Sequence, residues 1–235
     1  MELITILFQD DYCVAVSKPP GLLVHSSKID KYETKNLRDL VGEKLGKIVY
    51  PVHRLDKGTS GIVLFGFQRS DIRLFQSSLT QGSKVYLALV RGYFPEEMDI
   101  DYPLANPERP GSPKKESFTK AYGLLRKEIA IPVSRYPASR FSLVSLRPRE
   151  GRMHQLRRHL EHTRHYLIGD RKYGERHYNR LIEENFGIRN MFLHAWKLSF
   201  VHPFSNKVIE LQSELPAHFK TMIEVFDWPN EFAFI

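Results

Sequence analysis

The segment His53-Arg54-Leu55-Asp56-Lys57-Gly58-Thr59-Ser60-Gly61 concentrates groups that could do chemistry. A carboxylate sits among cations, and the glycines let the backbone turn tightly before the apolar run Ile62-Val63-Leu64-Phe65. That order places Asp56 on a loop at the edge of a sheet, where functional groups concentrate. A carboxylate so placed can act as a nucleophile or a general base. Residue types alone leave a second reading open, in which Asp56 caps the turn and pairs with Arg54 or Lys57. A hydrolase built on Asp56 lacks a second carboxylate at a recognisable spacing. His154, His159, His162 and His165 crowd one stretch, but no cysteine pair or His-Glu-x-x-His pattern accompanies them. No metal site is expected there, and imidazoles that face solvent or touch phosphate fit the pattern. Cys13 is alone in the chain, in the apolar run Tyr12-Cys13-Val14-Ala15-Val16, and reads as a buried structural thiol.

These residues need elements to hold them. Strand-like runs occur at Tyr12 to Ser17, Ile62 to Phe67, Lys84 to Gly92, Phe141 to Arg147, Met191 to Val201 and Lys207 to Gln212. Helical spacing occurs from Asn36 to Leu45, at Ile72, Phe75 and Leu79, and at Met153, Leu156 and Leu160. A last helix starts at Pro216, a favoured first-turn residue, and runs to about Phe226. Strands dominate without regular alternation with helices. The expected class is therefore α+β, a mixed and mainly antiparallel sheet with flanking helices. Prolines at 107, 110 and 113 make Asn106 to Lys115 a loop and the candidate seam between two lobes. Residues 1–235 are expected to form a single continuous catalytic domain.

The chain carries 35 basic and 27 acidic residues, a formal net charge of +8. Between Arg147 and Lys172 eight basic residues face three acidic ones, so the excess is a patch that suits a polyanion. The bland alternative is ordinary solubility. Apolar residues at 42% support a packed core, and no run is long enough to span a membrane. The N-terminus lacks a signal-peptide pattern, so a cytoplasmic location without membrane contact is expected.

The His53 to Gly61 segment resembles the signature of the RluA-type pseudouridine synthases, matching at His53, Arg54, Leu55, Asp56, Thr59, Ser60 and Gly61. Other blocks resemble that family in its order: Val14 to His25 with Lys18-Pro19-Pro20-Gly21, Lys84 to Gly92, Gly151 to Leu160, Gly169 to Gly174, and Leu193 to Pro203. The resemblance implies the pseudouridine synthase catalytic fold, two lobes around an active-site cleft, and a cofactor-independent isomerase acting on RNA. The reaction breaks the bond from ribose C1′ to uracil N1, turns the base and rejoins it through C5. The uridine must first leave its stack, at roughly a few kcal/mol.

By this resemblance Asp56 is the catalytic carboxylate, acting as nucleophile on sugar or base or as a base at C2′. Arg157 is its partner, with Glu161 one helical turn away as the alternative. Tyr86 stacks on the target base and can assist proton removal, against the alternative of a core aromatic. Arg54 helps hold the flipped-out state, and Leu198 lines the uracil pocket or is a core leucine. Arg149 and Arg152, in the basic patch, are expected to bind the substrate.

The first strand begins near Met1, so an N-terminal S4-type RNA-binding module is expected to be absent. Arg135-Tyr136-Pro137-Ala138-Ser139-Arg140-Phe141, Arg158 and Asn185-Phe186-Gly187 are similar to the branch that modifies tRNA at position 65, in the T-stem. The expected substrate is that tRNA and the expected state a monomer. A ribosomal-RNA synthase is the alternative within the family. A non-catalytic RNA-binding protein or RNA chaperone is the alternative from another class.

Overall fold

A computed structural model of the chain describes residues 4–25 and 35–229. In chain order its strands are β1 (Thr5–Gln9), β2 (Cys13–Lys18), β3 (Tyr50–Pro51), β4 (Ser60–Gly66), β5 (Ser83–Arg91), β6 (Glu97–Asp101), β7 (Phe118–Ile129), β8 (Ser139–Pro148), β9 (Leu193–Val201) and β10 (Val208–Gln212). The helices are α1 (Leu37–Leu45), α2 (Ile72–Gln81), α3 (Gln155–His162), α4 (Arg176–Phe186) and α5 (Ala217–Val225). Strand pairing is mainly antiparallel, and β4 runs parallel to β9 at Ser60–His194 and Gly61–Ala195. The α+β, mixed-sheet expectation therefore holds.

The chain divides into two compact units. Unit 1 takes residues 1–84 and 194–216, and unit 2 takes 85–193 and 217–235. The divisions do not fall in the proline-rich segment. Residues 106–115 lie inside unit 2, where Leu104 and Lys115 bridge and close the connection from β6 to β7. The prolines there mark a loop within one unit, because local turn chemistry does not distinguish a hairpin end from a linker.

In unit 1, β2 lies antiparallel between β1 and β4. Its residues Cys13 to Val16 are fully buried, which suits an inner strand of continuous apolar character. Phe75 and Leu79 of α2 fall four apart and pack on Ile62, Leu64, Leu198 and Phe200. Burying each such side chain stabilises by about 1.5–3 kcal/mol. Asn36 caps α1 by accepting the Asp39 N–H at 3.1 Å, and Gly46 ends it with a left-handed φ of 63°.

In unit 2, β8 lies antiparallel between β5 and β7, and β6 pairs with β7. Ala88 and Val90 of β5 and Val144 and Leu146 of β8 share a core with Leu156 and Leu160 of α3. Met153 does not belong to that helical stripe. It precedes α3, which starts at Gln155 after His154 takes a left-handed φ of 55°. The buried face is Gln155, Leu156, His159 and Leu160.

Candidate active site

Asp56 lies half-buried in the connection from β3 to β4. Its carbonyl accepts the Thr59 N–H at 3.0 Å and closes the turn. On one side Leu55 is buried, and on the other Thr59 and Ser60 are buried, so the loop is anchored at both ends. Gly61 follows with φ +107°, and a Cβ there would overlap the Ala195 carbonyl oxygen on β9. Only glycine allows this approach of the two parallel strands. Ser60 Oγ hydrogen-bonds His194 Nδ1 at 2.9 Å across the same pair.

Beneath the loop sits Lys18, 1% exposed. Its ammonium donates to the carbonyls of Pro19 (2.9 Å), Leu22 (2.7 Å) and Lys57 (3.0 Å), which uses all three of its protons. The Lys57 carbonyl also accepts the Gly21 N–H at 2.8 Å. The Lys57–Gly58 peptide, one residue beyond Asp56, is thus fixed from two directions. Burial lowers the Lys18 pKa to about 7, while the charge of Asp56 acts in favour of the ammonium. His53 accepts the Leu64 N–H on Nε2 at 3.2 Å. Burial and then nearby Lys84 push its pKa down to about 3, so it serves as a neutral acceptor on β4.

In unit 2, α3 carries Arg157. Its Nε donates to Asp170 Oδ2 at 2.6 Å and its Nη2 to Asp170 Oδ1 at 2.9 Å. The side chains are 12% and 0% exposed. Oδ1 also accepts the N–H groups of Lys172 (2.9 Å) and Tyr173 (3.0 Å). Burial alone would raise the Asp170 carboxyl pKa. The bonds and charge of Arg157 and the two backbone donors outweigh it and hold the pKa below the ordinary value. The Tyr173 ring centroid lies 5.0 Å from the guanidinium, and the Tyr173 hydroxyl meets His154 Nδ1 at 3.1 Å. Tyr86, in β5 opposite Leu146, is half-buried against the unit 2 core with Ala88 and Val90 on its face.

The remaining expected residues take different places. Arg54 is exposed, with Nη1 3.4 Å from His25 Nε2. Leu198 is 4% exposed in the unit 1 core. Arg149 is exposed and lies over the Phe118 ring, 4.6 Å from its centroid. Arg152 is exposed and donates from Nε to the Glu116 carbonyl at 3.2 Å. Arg147 and Lys120 both lie over Tyr122, so this side of β7 and β8 interleaves cations with rings. Such a surface suits phosphates and stacked bases. Asn185, of one segment that resembles the position-65 branch, lines a shallow depression together with Val133, Ser134, His177 and Leu181.

Within the histidine stretch His162 is exposed as expected, His154 and His165 are half-buried, and His159 departs from the expectation. His159 is fully buried, hydrogen-bonded to Thr119 Oγ1 (2.9 Å) and the Tyr102 carbonyl (3.1 Å). His162 stacks on Tyr102, and His165 packs on Phe94. Sequence reading missed these contacts because the partners lie 40 or more residues away.

Asp10, Cys13 and His202 place ligand-type atoms within 4.8 Å of one another. Their hydrogen bonds give the group a different role. His202 Nδ1 accepts the N–H groups of Phe204 and Ser205, so its proton sits on Nε2 and is donated to Asp10 Oδ2 at 3.0 Å. Burial and the Asp10 charge push the Cys13 thiol pKa up, away from thiolate. Asp10 Oδ1 accepts the N–H groups of Tyr12 and Cys13. Through these hydrogen bonds the trio clamps the turn from β1 to β2 onto the end of β9.

The profile of the RNA pseudouridylate synthase family matches residues 11–162. A protein of Pasteurella multocida named tRNA pseudouridine synthase C is 39% identical over 233 residues, which is 95% of this chain and 96% of its own length. A protein of the same name from Haemophilus influenzae is 37% identical and spans 97% of this chain and 100% of its own. Human RNA Pseudouridylate Synthase Domain Containing 4 superposes with a TM-score of 0.71 over 95% of this chain and 93% of its own, at 23% identity. That last likeness is one of fold.

Proposed function

Because the chain belongs to the RNA pseudouridylate synthase family, and is therefore an isomerase that converts uridine to pseudouridine, we propose that it acts on tRNA, at uridine 65 of the T-stem. The observation that carries the tRNA assignment is the near full-length likeness to relatives named for tRNA. The segments similar to the position-65 branch support the finer target. Asp56 supplies the essential carboxylate. The support for it is the match to the family signature and a loop whose backbone is held by Lys18. Tyr86 and Arg157 complete the catalytic group by the same resemblance, and Arg54, Arg149 and Arg152 bind RNA. The enzyme works as a monomer in the cytoplasm without a cofactor or metal.

The test is to incubate purified protein with unmodified tRNA and, separately, with ribosomal RNA, and to map pseudouridine. Product at uridine 65 of tRNA, and none from Asp56→Ala, is the expected result. Product in ribosomal RNA alone would move the substrate to the other branch of the family. Undiminished product from Asp56→Ala would remove Asp56 from the chemistry.

A further inference from the structure

We propose that Asp170 is a positioning residue for the isomerisation, fixing the plane and direction of the Arg157 guanidinium before RNA arrives. The proposal rests on the reading that Arg157 belongs to the catalytic group. Asp170 itself has a side chain with no exposure, so it does not meet the substrate and acts through the arginine.

The geometry is that of a bracket. Nε and Nη2 form one edge of the guanidinium, and both are held side-on by the two carboxylate oxygens. This grip sets the plane of the fork and turns its Nη1 corner away from Asp170. The Tyr173 ring limits movement on one face. A free arginine side chain samples many rotamers, and most of that freedom is removed here in advance.

The bracket is itself held. Gly169 has φ +78°, and a Cβ there would overlap the Asn190 carbonyl. Asn179 on α4 accepts the Gly169 N–H at 2.7 Å and donates to the Asp170 carbonyl at 2.9 Å. Gly174 N–H donates to that same carbonyl at 3.1 Å. The Ile168–Gly169 and Asp170–Arg171 peptides are thus tied to α4 through Asn179, while the Asp170 side chain is tied to α3. A buried ion pair is weak evidence for stability, since apolar pairs of similar volume often do as well. What this arrangement supplies is orientation.

The experiment measures single-turnover conversion of unmodified tRNA and RNA affinity for Asp170→Asn, Arg157→Lys and the double variant. Asp170→Asn is expected to slow conversion roughly 10- to 100-fold with RNA affinity changed less than about threefold. Arg157→Lys, which keeps a cation beside Asp170 but cannot be gripped side-on, is expected to slow it comparably. The double variant should be no slower than the slower single. A folded Asp170→Asn enzyme at the wild-type rate overturns the proposal, as do losses that multiply in the double variant or that follow RNA affinity alone. If Asp170→Asn does not fold, Arg157→Lys decides, because a full rate with lysine at 157 shows that the grip is dispensable. Asp56→Ala is run beside them. Product from that variant sinks the catalytic reading, whereas its inactivity together with a full-rate Asp170→Asn sinks only the role of Asp170.

Discussion

Unit 1 and unit 2 hold their candidate catalytic groups with buried ions of opposite sign, and they do so by different means. In unit 1 the buried ion is the Lys18 ammonium, and its bonds go to main-chain carbonyls around Asp56. In unit 2 it is the Asp170 carboxylate, and its bonds go to the Arg157 side chain itself. The difference follows from side-chain length. An aspartate has two side-chain torsions, so fixing its backbone nearly fixes its carboxylate. An arginine has many more, so its head group must be held directly. Both units add a glycine whose Cβ would strike a backbone carbonyl, Gly61 against Ala195 and Gly169 against Asn190.

The glycines give the largest expected effect. Gly61→Ala and Gly169→Ala each combine a left-handed backbone with an overlap that backbone must move to relieve. Each should destabilise by about 3–5 kcal/mol, read by denaturant unfolding. If one variant kept wild-type stability, the parallel between the two anchors would break.

Lys18→Met comes next and separates positioning from stability. The change removes the desolvation cost of an ammonium but leaves three carbonyls without that donor. These terms oppose, so stability should change by less than about 2 kcal/mol. The Asp56 loop loses one of the two bonds that hold the Lys57 carbonyl, and single-turnover conversion should fall about 10-fold or more. Loss of rate in strict proportion to loss of folded protein would make Lys18 a core residue and nothing more.

Much of this was legible in the sequence, and the parts that were not have physical reasons. Apolar runs placed β2, β4, β5, β8 and β9 to within a few residues. β7 escaped notice because its alternation is inverted. Ser117, Thr119 and Ala121 are buried while Phe118, Lys120 and Tyr122 are half-exposed, so small residues mark the inner face. β6 alternates Met98 and Ile100 with Glu97, Asp99 and Asp101, an acidic pattern that suits a protected edge strand. α4 buries Tyr178, Leu181 and Ile182 at helical spacing, but its many charged residues hid the stripe. Asp56, Tyr86 and Arg157 were named through family resemblance. Lys18 and Asp170 lie inside family-like segments, but their roles are invisible in the sequence because their partners are set by tertiary contact. A lysine beside two prolines and an aspartate beside two cations look solvated until burial is known.

The pH dependence of stability should divide into an alkaline window set by Lys18 and an acid window shared by His53 of unit 1, with a pKa of about 3, and His218 of unit 2. The Lys18 pKa is about 7 when folded, below its ordinary 10.5, so the unfolded chain holds the proton more tightly. Its contribution is greatest above pH 10.5 and is lost as pH falls to about 7. In unit 2 burial lowers the His218 pKa to about 4, partly offset by a backbone hydrogen bond with Met191. Its contribution is present above the unfolded pKa of 6.5 and is lost as pH falls through about 4. Each group changes stability by about 1.4 kcal/mol per pH unit inside its window. Lys18→Met should flatten the alkaline limb and His218→Phe only part of the acid limb, the share of His53 remaining, measured by denaturant unfolding across pH. A single variant that flattened both limbs would show that the two windows do not belong to separate residues.

The smallest effect concerns the exposed Arg149 and Arg152 of unit 2, which differ from Arg157 in having no buried carboxylate partner among the described residues. Arg149 rests on the Phe118 ring and Arg152 on a backbone carbonyl, so neither needs an acid to hold it near the surface. Cations held this way keep their charge available for phosphates, and each phosphate contact contributes a slope of about −0.9 to the dependence of log affinity on log salt for a duplex. Arg149→Ala with Arg152→Ala should therefore weaken RNA binding by about 10-fold and reduce the salt slope by about 1 to 2. The conversion rate of bound RNA should stay near wild type, in contrast to the Asp170 and Lys18 variants. An unchanged salt slope would take these two arginines out of the RNA interface, and a slowed bound-state rate would place them with Arg157 instead.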